Sequence, residues 1–251
     1  MQSRETWKLF STYYDSYIKD FSADLSLYQQ ACTPQDRVVE VGCGSGRVLK
    51  FLLEMGHPLT GVDISEEMLQ RSRQRLDDYL RQGKLKLVNH DFAAGPIEGS
   101  FTLALVTYYT FNYVLDYPDK FLSNLYAALV PQGRIILDLF FPKTRRNPDI
   151  DGIWVKESII HDGKPLMVME KRTWLAKKQL EERVQVFDDG GSQHEVVTHR
   201  RYFTPQSIKE LLATAGFANP EFGCGYAGVW RDEIPDADLH TNFVVRASRQ
   251  S

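Results

Sequence analysis

Residues 38–46 read Val-Val-Glu-Val-Gly-Cys-Gly-Ser-Gly. Three valines and one acid make a short run with strand propensity, and it breaks into a turn with glycine at 42, 44 and 46. Seventeen residues past Gly46, Gly-Val-Asp-Ile-Ser sets Asp63 at the end of a second short apolar run. A glycine-rich strand-to-helix turn with an acid about 20 residues further on is how an open α/β sheet holds an adenosine-containing cofactor. The spacing bears on which cofactor. Counted from Gly42, the last glycine of a dinucleotide Gly-x-Gly-x-x-Gly is replaced by Arg47, whose bulk suits neither close helix packing nor approach of a pyrophosphate. Glu40 repels a pyrophosphate as well, and can accept hydrogen bonds, directly or through water, from an ammonium-bearing ligand. No Gly-x-x-x-x-Gly-Lys-Ser/Thr is present, which argues against a nucleoside-triphosphate loop.

Outward from this turn, strands and helices alternate. Arg47–Met55 reads as a helix closed by Gly56, and Leu59–Val62 as a strand. A helix capped by Ser65 follows, with Glu66 and Glu67 in its first turn, running to about Gln82. Leu85–Asn89 and Thr102–Val106 are strands, and Pro118–Leu129 is a helix ended by Pro131-Gln-Gly133. Ile135–Phe141 is a fifth strand, apolar on both faces. Over residues 153–203 the rhythm changes to three or four antiparallel strands, broken at Asp162-Gly163, Ala176–Lys178 and Asp188–Gly191. A helix capped by Thr204 and two last strands, near Glu221–Tyr226 and Asn242–Ala247, close the chain. The expectation is an α/β fold: a doubly wound, mostly parallel seven-stranded Rossmann-like sheet, with an antiparallel β insertion after strand five. Residues 1–34 then form a helical lid, 35–149 and 204–251 the core, and 150–203 an insertion roofing the acceptor site.

The 251 residues carry a net charge of −3, with 43% hydrophobic and 25% charged side chains. That balance argues against a protein that lives on phosphate backbones. Residues 150–203 hold nine Lys/Arg and nine Asp/Glu, so the insertion has no basic stripe. No apolar run approaches the roughly 20 residues of a membrane span. Met1–Trp7 shows no apolar signal region, and Cys32, Cys43 and Cys224 have no paired spacing. The expectations are a cytoplasmic protein without metal, not bound to membrane or nucleic acid, and either a monomer or a homodimer.

Val39–Gly46 resembles motif I of the class I S-adenosylmethionine-dependent methyltransferases, and the order of elements over 35–247 is similar to theirs, including a last strand that enters antiparallel. Arg201–Phe217 resembles a late helix of the small-molecule members. The resemblance implies S-adenosyl-L-methionine as cofactor. It places Gly42, Gly44 and Gly46 beneath the methionine part and Asp63 on both ribose hydroxyls. Ile64 and Met68 pack on the adenine, Asp91 accepts from the adenine amino group, and Phe92 adds a main-chain contact. Thr107 and Tyr108 lie near the sulfonium, and Tyr14 or Tyr17 closes over the cofactor. Plainer readings stand beside these: a tight turn for the glycines, a cap for Asp91, a packing face for the N-terminal tyrosines.

The implied reaction is methyl transfer to a nitrogen or oxygen of a small metabolite, achieved mainly by proximity and orientation. A hydroxyl acceptor usually needs a base. Candidates are Tyr14, His194 and His199, although a histidine in a β meander is more often solvated or packed. Aromatic residues gather after the fourth strand and in the insertion, suiting a flat or cationic acceptor. An RNA or protein methyltransferase and a non-catalytic cofactor-binding module are the alternatives.

Overall fold

The computed structural model describes residues 4–19, 21–233 and 241–250. In chain order its elements are α1 (Arg4–Tyr17), α2 (Leu25–Ala31), β1 (Val38–Val41), α3 (Arg47–Glu54), β2 (Leu59–Asp63), α4 (Glu66–Arg75), α5 (Asp77–Arg81), β3 (Leu85–Asn89), β4 (Phe101–Val106), α6 (Pro118–Ala128), β5 (Leu129–Phe140), α7 (Lys143–Arg146), β6 (Trp154–His161), β7 (Lys164–Leu175), β8 (Leu180–Asp188), β9 (Gln193–Arg201), α8 (Pro205–Thr214), β10 (Phe217–Cys224) and β11 (Asn242–Arg249). The described residues of Ser22–Phe141 and Phe203–Ser251 form one compact unit. Those of Met1–Phe21 and Pro142–Tyr202 form a second.

The larger unit is a seven-stranded sheet in the order β10-β11-β5-β4-β1-β2-β3. Strands β1 to β5 pair in parallel, and β11 runs antiparallel to both neighbours, β5 and β10. All four residues of β1 are buried, as a central parallel strand covered on both faces requires. Helices α3 and α4 pack on β2, α4 also on β3, α6 on β5, and α8 on β10 and α6. This is the doubly wound, Rossmann-like arrangement that the alternating pattern implied. The caps are as the sequence indicated: Ser65 Oγ accepts the Met68 amide at 3.3 Å, and Thr204 Oγ1 accepts the Ser207 amide at 3.0 Å.

Three local expectations need correction. The helix expected to run to Gln82 breaks at Leu76 into α4 and α5. Leu76 leaves helical geometry there while its side chain is buried in the core. Strand β5 begins at Leu129, not Ile135, because pairing with β4 resumes on both sides of an irregularity around Pro131–Gly133. And β5 is not apolar on both faces: it carries Asp138, fully buried.

The smaller unit is an antiparallel meander, β6-β7-β8-β9, with turns at the three places the sequence marked. It follows β5 in the chain, as the expected insertion does. Burial alternates along β8, with Glu181, Arg183, Gln185 and Phe187 inside. Helix α1 packs against β6 and β9. Tyr13 stacks on Phe187 with ring centroids 4.2 Å apart, and Tyr17 donates its hydroxyl to Glu170 at 3.0 Å. Burial works to raise the Glu170 carboxyl, but the guanidiniums of Arg183 and Arg172 outweigh it and hold the group at about 2. No helix among the described residues is long and apolar enough to cross a membrane.

Candidate active site

Strand β1 ends at Val41, and the backbone bends away along the neighbouring strand: the amides of Gly42 and Cys43 both donate to the Val62 carbonyl, at 2.7 and 3.1 Å. Gly42 sits at φ +73°, and a Cβ there would lie 2.3 Å from Thr110 Cγ2. Only glycine meets both the conformation and the space. Helix α3 then starts directly after Gly46.

Asp63, at the end of β2, ties this turn to the next. Its Oδ2 accepts the Gly44 amide and its Oδ1 the Ser65 amide, each at 2.8 Å. A carboxylate has about four acceptor positions, so both oxygens retain capacity for hydroxyl donors. Burial raises the Asp63 carboxyl above its usual range, against the pull of the backbone donors. Beside it Ile64 is 42% exposed, an apolar side chain facing outward, while Met68 is buried. Asp91 caps a turn, with Oδ1 accepting the Ala93 amide at 2.8 Å, which is the plainer of its two readings. Phe92 is buried against His90 and Phe121, and its carbonyl accepts from Asn124 Nδ2 at 2.7 Å.

Glu40 is the acid inside β1. Thr107, just past β4, donates to its Oε1 at 2.8 Å, whereas Oε2 is buried and accepts no hydrogen bond. Burial pushes this carboxyl up to about 8, Thr107 and Arg47 opposing. A buried carboxylate oxygen wanting a donor, beside a glycine turn that tolerates no side chain at Gly42, fits an ammonium-bearing cofactor such as S-adenosylmethionine.

Several pairings here join residues far apart in the sequence. Arg47 forms a two-pronged pair with Asp24 at 2.7 and 2.6 Å, and Asp24 is fully buried. The residue that broke the dinucleotide pattern therefore clamps the start of α2 to the start of α3. Its guanidinium also lies 5.5 Å from the Tyr108 ring centroid. Tyr108 and Tyr109 both adopt left-handed backbone, φ +46° and +63°, and stack with centroids 5.3 Å apart. Asn112 is buried and its Oδ1 accepts the Phe140 amide at 3.3 Å, so it braces β5. Asp138 draws together Tyr28, Tyr226 and Asn242. Its signal in the sequence is a lone acid within Ile135–Phe141.

Glu40, Gly42, Gly44, Gly46, Asp63, Ile64, Met68, Asp91, Phe92, Thr107 and Tyr108 all belong to the larger unit, while Tyr14, Tyr17, His194 and His199 belong to the smaller. Tyr14 packs its ring edgewise on Phe10. His199 pairs with Glu182 at 3.1 Å, and His194 lies against Ser192 and the Tyr13 ring. Five residues apart on β9, the two histidines occupy opposite faces of the strand.

Residues 38–133 match the model of the methyltransferase domain family. A Bacillus subtilis (strain 168) protein named "Putative methyltransferase YqeM" is 24% identical over 83% of this chain and 85% of its own length. The 18S rRNA (guanine-N(7))-methyltransferase of Bos taurus is 31% identical, but over only 43% of this chain and 42% of its own length. Among solved structures, a SAM-bound amino pentose methyltransferase from Micromonospora echinaspora, involved in calicheamicin biosynthesis, superposes with a TM-score of 0.70 over 95% of this chain and 96% of its own, at 18% identity. The glycine turn locked to Asp63, the buried Glu40 and these likenesses converge on a methyltransferase domain over residues 38–133, within the fold of the S-adenosylmethionine-dependent methyltransferases.

Proposed function

We propose that this enzyme methylates a nitrogen or oxygen of a small-molecule acceptor. S-adenosylmethionine supplies an electrophilic methyl on a sulfonium: the acceptor lone pair bonds to the methyl carbon as the carbon–sulfur pair withdraws to sulfur. The chain's part is to hold and orient. On this reading Glu40 takes the cofactor ammonium, Gly42, Gly44 and Gly46 pass under the methionine, and Asp63 takes the ribose hydroxyls. Ile64 and Met68 meet the adenine face, Asp91 and the Phe92 amide its edge, and Thr107 and Tyr108 border the sulfonium. Residues 1–34 act as a lid carrying Tyr14, and 150–203 as the cover over the acceptor. Tyr14, His194 and His199 are the candidates where that cover supplies a base.

The observation that carries the acceptor class is the chemistry past β4. Tyr108 stacks on Tyr109, Tyr109 meets Tyr226, Tyr226 and Asn242 bond Asp138, Thr107 bonds Glu40, and the cation that reaches Tyr108, Arg47, is paired with Asp24. A nucleic-acid backbone asks for cations, whereas rings and acids suit an amine or a flat polar metabolite. Likeness to the amino pentose methyltransferase supports the same reading. The free Cys32, Cys43 and Cys224 suit a reducing cytoplasm. A second reading, RNA methylation, draws on the partial match to the ribosomal-RNA enzyme. Incubating the protein with methyl-labelled S-adenosylmethionine and a fractionated cell extract decides between them. Label in the low-mass fraction, identified by mass, is expected. Label confined to RNA or protein overturns the proposal, and no label in any fraction indicates a non-catalytic module.

A further inference from the structure

Asp138 is fully buried near the C-terminal end of β5, and its hydrogen-bond partners are all neutral. Its Oδ2 accepts the Tyr226 hydroxyl at 2.9 Å and the Tyr28 hydroxyl at 3.4 Å, and its Oδ1 accepts Asn242 Nδ2 at 3.4 Å. The nearby charge is Asp24, itself paired with Arg47. The Tyr226 hydroxyl lies a further 3.4 Å from the Tyr109 hydroxyl. A phenol has one proton to give. Tyr226 gives it to Asp138, so the Tyr226–Tyr109 contact is a bond donated by Tyr109. The line runs Tyr109 to Tyr226 to Asp138, from a half-buried hydroxyl to a carboxylate in the core.

Tyr109 lies two residues past Thr107, the donor to Glu40, so the outer end of this line starts beside the cofactor's expected place. Tyr108 and Tyr109 are held in a backbone conformation that bulky residues avoid and that clusters at functional sites. The ring of Tyr109 is fixed between Tyr108 and Phe140.

We propose that Asp138 receives the proton that the acceptor loses on methylation. The acceptor's N–H or O–H proton moves to the Tyr109 oxygen as Tyr109 passes its own to Tyr226 and Tyr226 its own to Asp138. Each phenol ends with one proton, the carboxylate becomes a carboxylic acid, and the proton returns to solvent by the same path once product leaves. Tyr109 is the group that touches the acceptor, while Tyr226 and Asp138 act through it. Burial places the Asp138 carboxyl at about 7, with Asp24 adding to the rise and Tyr226, Asn242 and Tyr28 opposing it, which suits an acceptor of protons near neutrality. The inference rests on the methyl-transfer reading but not on the acceptor's size.

The test has two arms. Infrared spectra of the protein between pH 5 and 9 follow buried carboxyl groups without any turnover. A carboxylic C=O band should disappear with a midpoint near 7, be missing in Asp138→Asn, and shift to higher pH in Tyr226→Phe, which removes a donor to the carboxylate. In the second arm, initial rates against pH are measured on whichever extract fraction takes the methyl label, so that the fate of the acceptor class and that of the relay are read separately. Tyr109→Phe and Tyr226→Phe should each lower kcat on the order of 100-fold and flatten the rise with pH seen in wild type. The Glu40 carboxyl, at about 8, gives a second band that Asp138→Asn leaves in place; spectra in which Asp138→Asn removes no carboxyl band at all overturn the relay. So does a Tyr109→Phe enzyme with the wild-type rate and pH profile.

Discussion

Thr107 donates to one carboxylate oxygen of Glu40 at 2.8 Å and leaves the other buried without a donor. With its carboxyl pushed up to about 8 by burial, Glu40 is largely protonated at pH 7 in the free protein. An ammonium placed against it favours the ionised form. Binding of S-adenosylmethionine at pH 7 should therefore release about one proton, read as a dependence of calorimetric binding heat on buffer ionisation enthalpy. Glu40→Gln should abolish that dependence and weaken binding roughly 10-fold or more, the range of a hydrogen bond to a charged group.

The same group links stability to pH. The unfolded chain ionises near 4.5 and the folded one near 8. Between these values the folded state holds a proton that the unfolded state has lost. The contribution of Glu40 is then full below pH 4.5 and fades as pH rises to about 8. Urea unfolding of wild type and Glu40→Gln across this window should show wild type losing ground steadily. Parallel curves for the two proteins would falsify the assignment.

Asp63 performs two tasks. Asp63→Ala strips the acceptor from the Gly44 and Ser65 amides, a loss of about 2 kcal/mol, which at this chain length lowers Tm by roughly 4–8 °C. Binding of S-adenosylhomocysteine should vanish as well. Asp63→Asn keeps an acceptor for one amide and should recover part of the stability with little of the binding. If Asp63→Ala binds like wild type in calorimetry, the ribose assignment fails.

The Asp24–Arg47 pair predicts a non-additive result. Arg47→Met leaves a carboxylate buried without its cation, an effect of about 3–5 kcal/mol. Removing both charges in Asp24→Leu/Arg47→Met should be less harmful than the single change. Denaturant midpoints of the four proteins in the cycle measure it, and additive losses would contradict the pairing.

In the smaller unit Glu170 behaves oppositely to Glu40. Its carboxyl is held at about 2 when folded and titrates near 4.5 when unfolded. The stability it confers is present above pH 4.5 and is lost as pH falls toward 2. Glu170→Gln should cost on the order of 3 kcal/mol at pH 7 and remove this part of the acid sensitivity, checked by thermal melts from pH 2 to 7.

What could be read in the sequence was local. Gly42, Gly44, Gly46 and Asp63 lie within 22 residues of one another, and the backbone demands of one turn choose them. Thr204 and Pro205 marked a helix start for a similar reason. Asp138 was hidden because its partners come from α2, the segment after β10 and the start of β11, 88 to 110 positions away, and no periodicity encodes such a meeting. Arg47 stands out in the sequence because it breaks the dinucleotide pattern, but its partner Asp24 lies beyond any motif. His194 and His199, each a candidate base in the sequence, lie on opposite faces of β9 because the pleat alternates.

The link between α1 and the meander also has a consequence in time. Ser16 bonds His161, and Tyr17 bonds Glu170, across 145 and 153 positions of sequence. A ribosome adding about 5–20 residues per second needs on the order of ten seconds or more to cover that distance. Throughout it, α1 has been made and its counterpart has not. Phe10 and Tyr13, buried in the finished protein, spend this interval without the strands that cover them. The smaller unit therefore cannot close until β1 to β5, which lie between its first helix and its strands in the chain, have been made.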